Sequence, residues 1–229
     1  MNKEMHVVVF GSGSGTNLEA LLRAQKQTPN PKFQIKALFT DRQSRLLEIG
    51  KRECIPVVYH SFVKFFKERG LENYQDQTMR HQYDEEVVHL LNQCAKSFAF
   101  HIDLIVLAGY MRLLTPVLLD AFPNKILNIH PADLSVLDAQ GKRLYIGIDA
   151  VYEALKQGEK QTRSSVILVD REIDAGPVLV EGPWVQYSEG YPVTRDKAQR
   201  HQMKQKALSD WPACIQAVQL IAEGKLLKG

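Results

Sequence analysis

Two short segments carry side chains that could manage charge at a reacting carbonyl. The first is Leu127-Asn128-Ile129-His130-Pro131. If residues 126 to 129 form a strand, alternation places Asn128 and His130 on one side of it. They would then stand at the strand's C-terminal end, where open α/β sheets bind their ligands. An amide donor beside an imidazole suits the oxyanion of a tetrahedral intermediate, and the imidazole can also move protons near neutral pH. The second segment is Asp170-Arg171-Glu172-Ile173-Asp174-Ala175-Gly176-Pro177, an acidic turn. A carboxylate there can orient His130, stabilise its charged form or steer a water that relays protons. Both segments also have plainer readings, a structural histidine after a strand and an aspartate that forms a turn before Ala-Gly-Pro.

A third feature is the run Gly11-Ser12-Gly13-Ser14-Gly15-Thr16-Asn17 between a β-branched stretch and a helical pattern. Glycines let a ligand approach the main chain, and the free N–H groups at a helix start favour an anion. Thr16 and Asn17 can add side-chain donors or cap the helix. No Gly-Lys-Ser/Thr follows, so this is not a Walker A loop, and the third glycine falls too early for a dinucleotide fingerprint. The plain alternative is a tight strand-to-helix turn with no ligand.

The elements that would position these groups follow from hydrophobic periodicity. His6 to Phe10 reads as a strand buried on both faces, followed by a helix beginning near Leu18. Ile35 to Thr40, Ile55 to Tyr59, Ile102 to Leu107 and Ile126 to Ile129 read as further strands. Leu46 to Cys54 reads as a helix, and Tyr74 to Phe100 as one long helix with Val87, Val88, Leu90, Leu91 and Ala95 inward. Strands and helices alternating at this spacing predict βαβ units: an α/β fold with a Rossmann-like, mostly parallel sheet and helices on both faces. After residue 160, Ser164 to Asp170, Val178 to Glu181 and Trp184 to Tyr187 predict short strands joined by turns. Thr194 to Leu227 predicts a C-terminal helix that Trp211-Pro212 should break or kink. Ala132 to Leu144 is polar and predicts a long loop.

The 229 residues, 45% of them hydrophobic and 24% charged, suit a single domain. A formal net charge of +3 without a basic run gives no nucleic-acid footprint. Cys54, Cys94 and Cys214 have no metal-ligand spacing, and reduced thiols are expected. Met1 to Met5 is short and polar, and no apolar run approaches membrane-spanning length, so a cytoplasmic protein without membrane partners is expected.

Four motifs in this order, Gly13-Ser14-Gly15-Thr16-Asn17-Leu18, Leu107 through Leu114, Asn128-Ile129-His130-Pro131 and Ile173-Asp174-Ala175-Gly176-Pro177, resemble the folate-dependent formyltransferase family. The resemblance runs from about Val7 to Tyr187. It implies transfer of a formyl group from 10-formyltetrahydrofolate, as co-substrate, to the amine of glycinamide ribonucleotide in purine biosynthesis. Asn128, His130 and Asp174 match the family's catalytic trio, the first two stabilising the oxyanion and Asp174 assisting proton transfer. Gly15, Thr16 and Asn17 match the loop that grips the substrate phosphate. Met111, Arg112, Leu113 and Leu114 match the segment lining the folate pocket, with Asn128 and Asp170 among the folate contacts. The resemblance implies no metal and no nicotinamide. On this reading residues 1–229 form one formyltransferase domain, with a phosphate-binding half at 1–125 and a catalytic and folate-binding half at 126–229, acting as a monomer or homodimer.

The chain departs from the family pattern at identifiable places. After Pro131 it has Ala132-Asp133-Leu134-Ser135 and then an insertion, with alignment resuming at Ile146-Gly147-Ile148-Asp149. Asp149 and Ile167 each stand where the pattern has a histidine, and Ala207-Leu208 where it has a Glu-His pair. These positions border the acceptor site, which keeps two alternatives open: another amine acceptor such as an amino sugar nucleotide, or a non-catalytic nucleotide- or folate-binding homologue. Lys204 and Lys206 could touch phosphate, though a solvated helix face suits both. The methionyl-tRNA branch of the family carries an extra C-terminal barrel and the formylfolate hydrolase branch an N-terminal regulatory domain. Neither is expected here.

Overall fold

A computed structural model describes residues 4–227, in two compact units, 1–126 and 127–229. The beginning of the polar N-terminal stretch, residues 1–3, and the last two positions of the chain lie outside the described residues.

The first unit contains β1 (Met5–Phe10), α1 (Thr16–Gln27), β2 (Phe33–Thr40), α2 (Arg45–Glu53), β3 (Val57–Tyr59), α3 (Phe62–Glu68), α4 (Gln77–Ser97), β4 (Leu104–Leu107) and α5 (Pro116–Ala121). Its strands run in the order β3-β2-β1-β4, and every pairing is parallel. Val7, Val8, Val9 and Phe10 have no solvent exposure, as a central strand covered on both faces requires. The long helix is shorter than expected at both ends. Asp76 stops it from reaching back to Tyr74 by capping the Met79 N–H at 3.0 Å. Tyr74 instead packs with Phe62 and Phe66, inside an aromatic cluster that α3, an element the sequence reading did not foresee, brings together.

The second unit is built on antiparallel pairing. β5 (Ile126–His130) pairs with β7 (Ser165–Leu168), which pairs with β8 (Val178–Glu181). A two-residue β6 (Gln161–Thr162) pairs with β9 (Val185–Gln186). Three helices follow the loops: α6 (Ala150–Lys156), α7 (Arg195–Gln205) and α8 (Trp211–Ala222). The break or kink expected at Trp211-Pro212 takes the form of an interruption of the α-helix just before that pair. A π-helical turn at Lys206–Asp210 joins α7 to α8, and the Trp211 N–H reaches back to the Lys206 carbonyl. The wider turn makes room for the proline ring, and Pro212 falls in the first turn of α8, where no N–H is needed.

The insertion after Pro131 is mostly irregular, as expected, but it has internal order. Leu137 and Arg143 form an antiparallel bridge around a turn closed by the Asp138 carboxylate, which accepts from the N–H groups of Gln140 and Lys142. Tyr145 anchors the far end in an apolar cluster with Ala132, Ala150 and Ala154.

Candidate active site

In the second unit, Asn128, His130 and Asp174 come together. Asn128 Nδ2 donates to Asp174 Oδ1 at 3.3 Å, and His130 Nδ1 lies 3.4 Å from Asp174 Oδ2. Alternation along β5 accounts for the shared side of Asn128 and His130. The position of Asp174 has a different cause. Asp174 adopts a left-handed φ of 52°, which swings its carboxylate out of the turn. Gly176 allows that turn to close, because a Cβ at 176 would overlap the Leu168 carbonyl oxygen.

His130 is almost fully buried, and both its ring nitrogens face acceptors. Nε2 lies 2.7 Å from the Tyr145 carbonyl oxygen, which can only accept, so Nε2 carries a proton. Nδ1 then faces the Asp174 carboxylate. The imidazolium satisfies both partners, whereas the neutral ring turns a lone pair toward a carboxylate oxygen. Burial pushes the His130 pKa below its usual value, opposed by the Asp174 charge, the Tyr145 carbonyl and Asp210. In this arrangement His130 offers no free N–H, so what it can contribute is its charge when protonated and the proton it shares with Asp174. Asn128 retains a second amide proton.

A buried polar layer fixes the main chain just past His130. Gln205 Nε2 donates to the Pro131 carbonyl at 2.7 Å, and Ser165 Oγ donates to the Ala132 carbonyl at 2.9 Å. Gln205 also bonds Ser164, whose hydroxyl donates to Asp210. Gln205 ends α7 and Asp210 ends the π-helical turn, so the turn that accommodates Pro212 also aims these side chains inward. Burial raises the Asp210 pKa against the Ser164 hydrogen bond.

Asp170, expected among the folate contacts, is exposed and accepts from the Glu172 N–H at 3.0 Å, shaping the turn that presents Asp174. Asp149 is exposed and paired with Arg195 at 2.6 Å. Ile167 is buried in β7 opposite Asn128. Lys204 pairs with Glu189 on the surface.

The first unit holds the other expected residues. The chain turns at Gly15 with a φ of 67°, and a Cβ there would approach Ile49 to 2.7 Å, so the position needs glycine. Thr16 begins α1 with no side-chain cap, which leaves the helix start to an outside anion. Asn17 is buried. Ser12, at the base of the same turn, ties it to the segment 109–112. Its N–H donates to the Gly109 carbonyl at 3.1 Å, and its hydroxyl accepts from the Met111 N–H at 3.1 Å. The hydroxyl in turn donates to Asp41 Oδ1 at 2.6 Å.

Asp41 is a hub that the sequence reading missed. It also binds Arg42 and, at 2.9 Å, Arg112 Nε. Burial pushes its carboxyl up, but the hydrogen bonds from Arg42, Ser12 and Arg112 outweigh that and hold it below the usual carboxylate range. Its place just past β2 was the available signal, since the acidic residue of nucleotide-binding βαβ units stands there. Arg112 lies over the Phe62 ring with its carbon 4.1 Å from the centroid. Met111 and Leu113 are half exposed, while Leu114 is partly buried, and the Leu113 carbonyl accepts from Arg80 at 2.7 Å. The glycine turn and the 111–114 segment are therefore one hydrogen-bonded assembly.

Arg143, Tyr145 and Gly147 were also missed. Each touches the trio, two of them only through main-chain atoms, and side-chain chemistry gives no signal for a main-chain contact. Among the described residues no group of three or more His, Cys, Asp or Glu side chains could hold a metal ion. No helix among them is long and apolar enough to cross a membrane.

Known proteins resemble this chain in sequence and in fold. Residues 5–188 match the family model described as formyl transferase. The phosphoribosylglycinamide formyltransferase of Escherichia coli (strain K12) is 30% identical over 178 residues, covering 77% of this chain and 71% of that protein. Its namesake in Bacillus subtilis (strain 168) is 33% identical over 174 residues, covering 76% and 75%. The crystal structure of phosphoribosylglycinamide formyltransferase from Bacillus halodurans superposes with a TM-score of 0.71 at 29% identity, covering 97% of this chain and 98% of that one. On the fold, on the motifs and on a match spanning most of its length, this chain belongs to the formyl transferase family.

Proposed function

We propose that this enzyme transfers the formyl group of 10-formyltetrahydrofolate to the amine of glycinamide ribonucleotide, a step of purine biosynthesis. The observation that carries the reading is the meeting of Asn128, His130 and Asp174 at 3.3 and 3.4 Å, around one carboxylate. Relatives 30% and 33% identical over about three quarters of this chain are named phosphoribosylglycinamide formyltransferase.

The amine nitrogen attacks the formyl carbon, and the carbonyl oxygen takes up negative charge as the tetrahedral intermediate forms. The second amide proton of Asn128 is the donor for that oxygen, and the proton released as the amine attacks can charge His130 beside it. The proton lost by the attacking nitrogen passes through the Asp174–His130 pair to folate N10. The N10–carbon bond then breaks and the formyl group stays on the amine. Gly15, Thr16 and Asn17 bind the substrate phosphate through main-chain N–H groups at the start of α1. Met111, Arg112, Leu113, Leu114, Asn128 and Asp170 are the residues proposed to contact the folate. The reaction uses no metal, the enzyme acts in the cytoplasm as a monomer or homodimer, and its residues form one formyltransferase domain.

The test is a spectrophotometric assay with 10-formyl folate and glycinamide ribonucleotide that reads release of the deformylated folate. Release that depends on the ribonucleotide establishes donor and acceptor together. Release without it indicates a hydrolase. Folate binding without release in the presence of the ribonucleotide overturns this acceptor and moves the reading to another amine, such as an amino sugar nucleotide, or to a binding protein.

A further inference from the structure

The insertion after Pro131 departs from the family pattern, yet together with Gly147 just beyond it, it supplies three contacts to the trio. The Tyr145 carbonyl accepts from His130 Nε2 at 2.7 Å, the Gly147 N–H donates to Asp174 Oδ2 at 2.9 Å, and Arg143 Nη1 donates to the Asp174 main-chain carbonyl. Only the Arg143 contact is made by a side chain. We propose that Arg143 is a positioning residue, which clamps the 170–174 turn from the insertion so that the Asp174 carboxylate stays against Asn128 and His130.

Three observations lead here. Asp174 holds a left-handed backbone, a conformation less favourable than the right-handed one even for aspartate, so a contact on its own carbonyl helps to hold it. The charge-assisted bond from Arg143 lands on the carbonyl of that same residue. The arginine is also presented by an ordered element: its own main chain is bridged to Leu137, and the turn between them is closed by Asp138. Removing the guanidinium takes away the bond to the Asp174 carbonyl and leaves the Gly147 N–H on its carboxylate.

The charge matters as well as the hydrogen bond. The charged groups acting on His130 are Asp174 from the acidic turn, Asp210 from the π-helical turn and Arg143 from the insertion. The two carboxyl groups favour the imidazolium and Arg143 opposes it. Loss of Arg143 therefore raises the His130 titration midpoint if the Asp174 carboxylate keeps its place, and lowers it if that carboxylate swings away.

The inference rests on the proposed reaction for its kinetic consequence, so the test has one readout that needs no turnover. The His130 ring is followed by NMR through a pH titration in the intact protein and in R143A, R143Q and R143K, with H130N assigning the signal. Steady-state kcat and KM are measured in parallel. The clamp predicts a lowered midpoint in R143A and a fall in kcat of about tenfold or more with KM for the ribonucleotide nearly unchanged, as expected when reacting groups are misplaced. R143K, which keeps the charge and can still donate, should recover part of both losses. R143Q, which keeps a donor and drops the charge, should recover kcat and carry the midpoint up past that of R143A. If the midpoint in R143A is unchanged or raised, the carboxylate has kept its place without the arginine and the proposal is overturned. A lowered midpoint in R143A, found when the parent transfers no formyl group, keeps the clamp and discards the reaction. If R143A does not fold, R143Q and R143K decide the question, and both matching the parent overturns the proposal.

Discussion

Replacing Asp174 with asparagine is the sharpest perturbation of the proposed mechanism. The two carboxylate oxygens each accept a hydrogen bond, Oδ1 from Asn128 at 3.3 Å and Oδ2 from the Gly147 N–H at 2.9 Å. An amide at this position must point its NH2 at one of these donors, whichever way it turns, and one bond is replaced by a repulsion. The histidine loses more. A carboxylate charge 3.4 Å from His130 Nδ1 is worth about 5 kcal/mol to the imidazolium at an effective dielectric constant of about 20. That is a ceiling of between about three and four pH units on the fall in the His130 midpoint, and a fall of at least about one unit is expected after relaxation. Burial already lowers this pKa, and D174N lowers it further, which makes the ring harder to charge during the reaction. With the proton relay gone and the imidazolium disfavoured, kcat should drop by about 10²- to 10⁴-fold. Release of deformylated folate gives the rate, and an NMR titration gives the midpoint. A D174N enzyme with kcat within about fivefold of the parent and an unshifted His130 would refute the shared-proton argument.

Gly176→Ala should lower the melting temperature through strain of about 1–3 kcal/mol, and kcat with it, because the added methyl overlaps the Leu168 carbonyl and displaces the turn that presents Asp174; equal melting curves would contradict this. Gly15→Ala places a side chain at a φ of 67° and against Ile49, so KM for the ribonucleotide should rise about tenfold while KM for the folate changes little; a reversed pattern would remove the glycine turn from phosphate binding. Burial raises the Asp84 pKa from 3.8 to about 6 despite its 2.7 Å hydrogen bond from the Thr115 N–H. The folded state thus holds the proton more tightly than the unfolded state, and this group's contribution to stability is lost as pH rises from about 4 to 6. Asp84→Asn keeps an acceptor for Thr115 and should stabilise the protein at pH 7 by at most about 3 kcal/mol, with the gain vanishing below pH 4; denaturant melts at the two pH values would show it.

The parallel strands were legible because Val7 to Phe10 and Leu104 to Leu107 are apolar runs covered on both faces, and that burial leaves its mark in composition. Asn128 and His130 were legible because strand alternation is local geometry, and the Asp174 turn because Gly176-Pro177 marks it. Other elements depend on contacts distant in sequence. The two-residue β6 exists only because Val185 and Gln186 pair with it. The π-helical turn reflects a compromise between Pro212 and the buried side chains of Gln205, Ser209 and Asp210, which no helical period encodes. Asp41 was hidden for a related reason: its partners Ser12 and Arg112 lie 29 and 71 positions away.

The proton on His130 Nε2 is held by the main-chain carbonyl of Tyr145. Any residue at position 145 brings a carbonyl, so an apolar replacement that keeps the anchor leaves the acceptor in place. What moves that oxygen is the number of residues between Pro131 and the apolar cluster that anchors Tyr145. Indels in the insertion thus reach the histidine's protonation directly, while point changes on its solvent-facing side do not. Across relatives, the length of this segment should vary together with the histidine's environment, and its surface composition should drift freely.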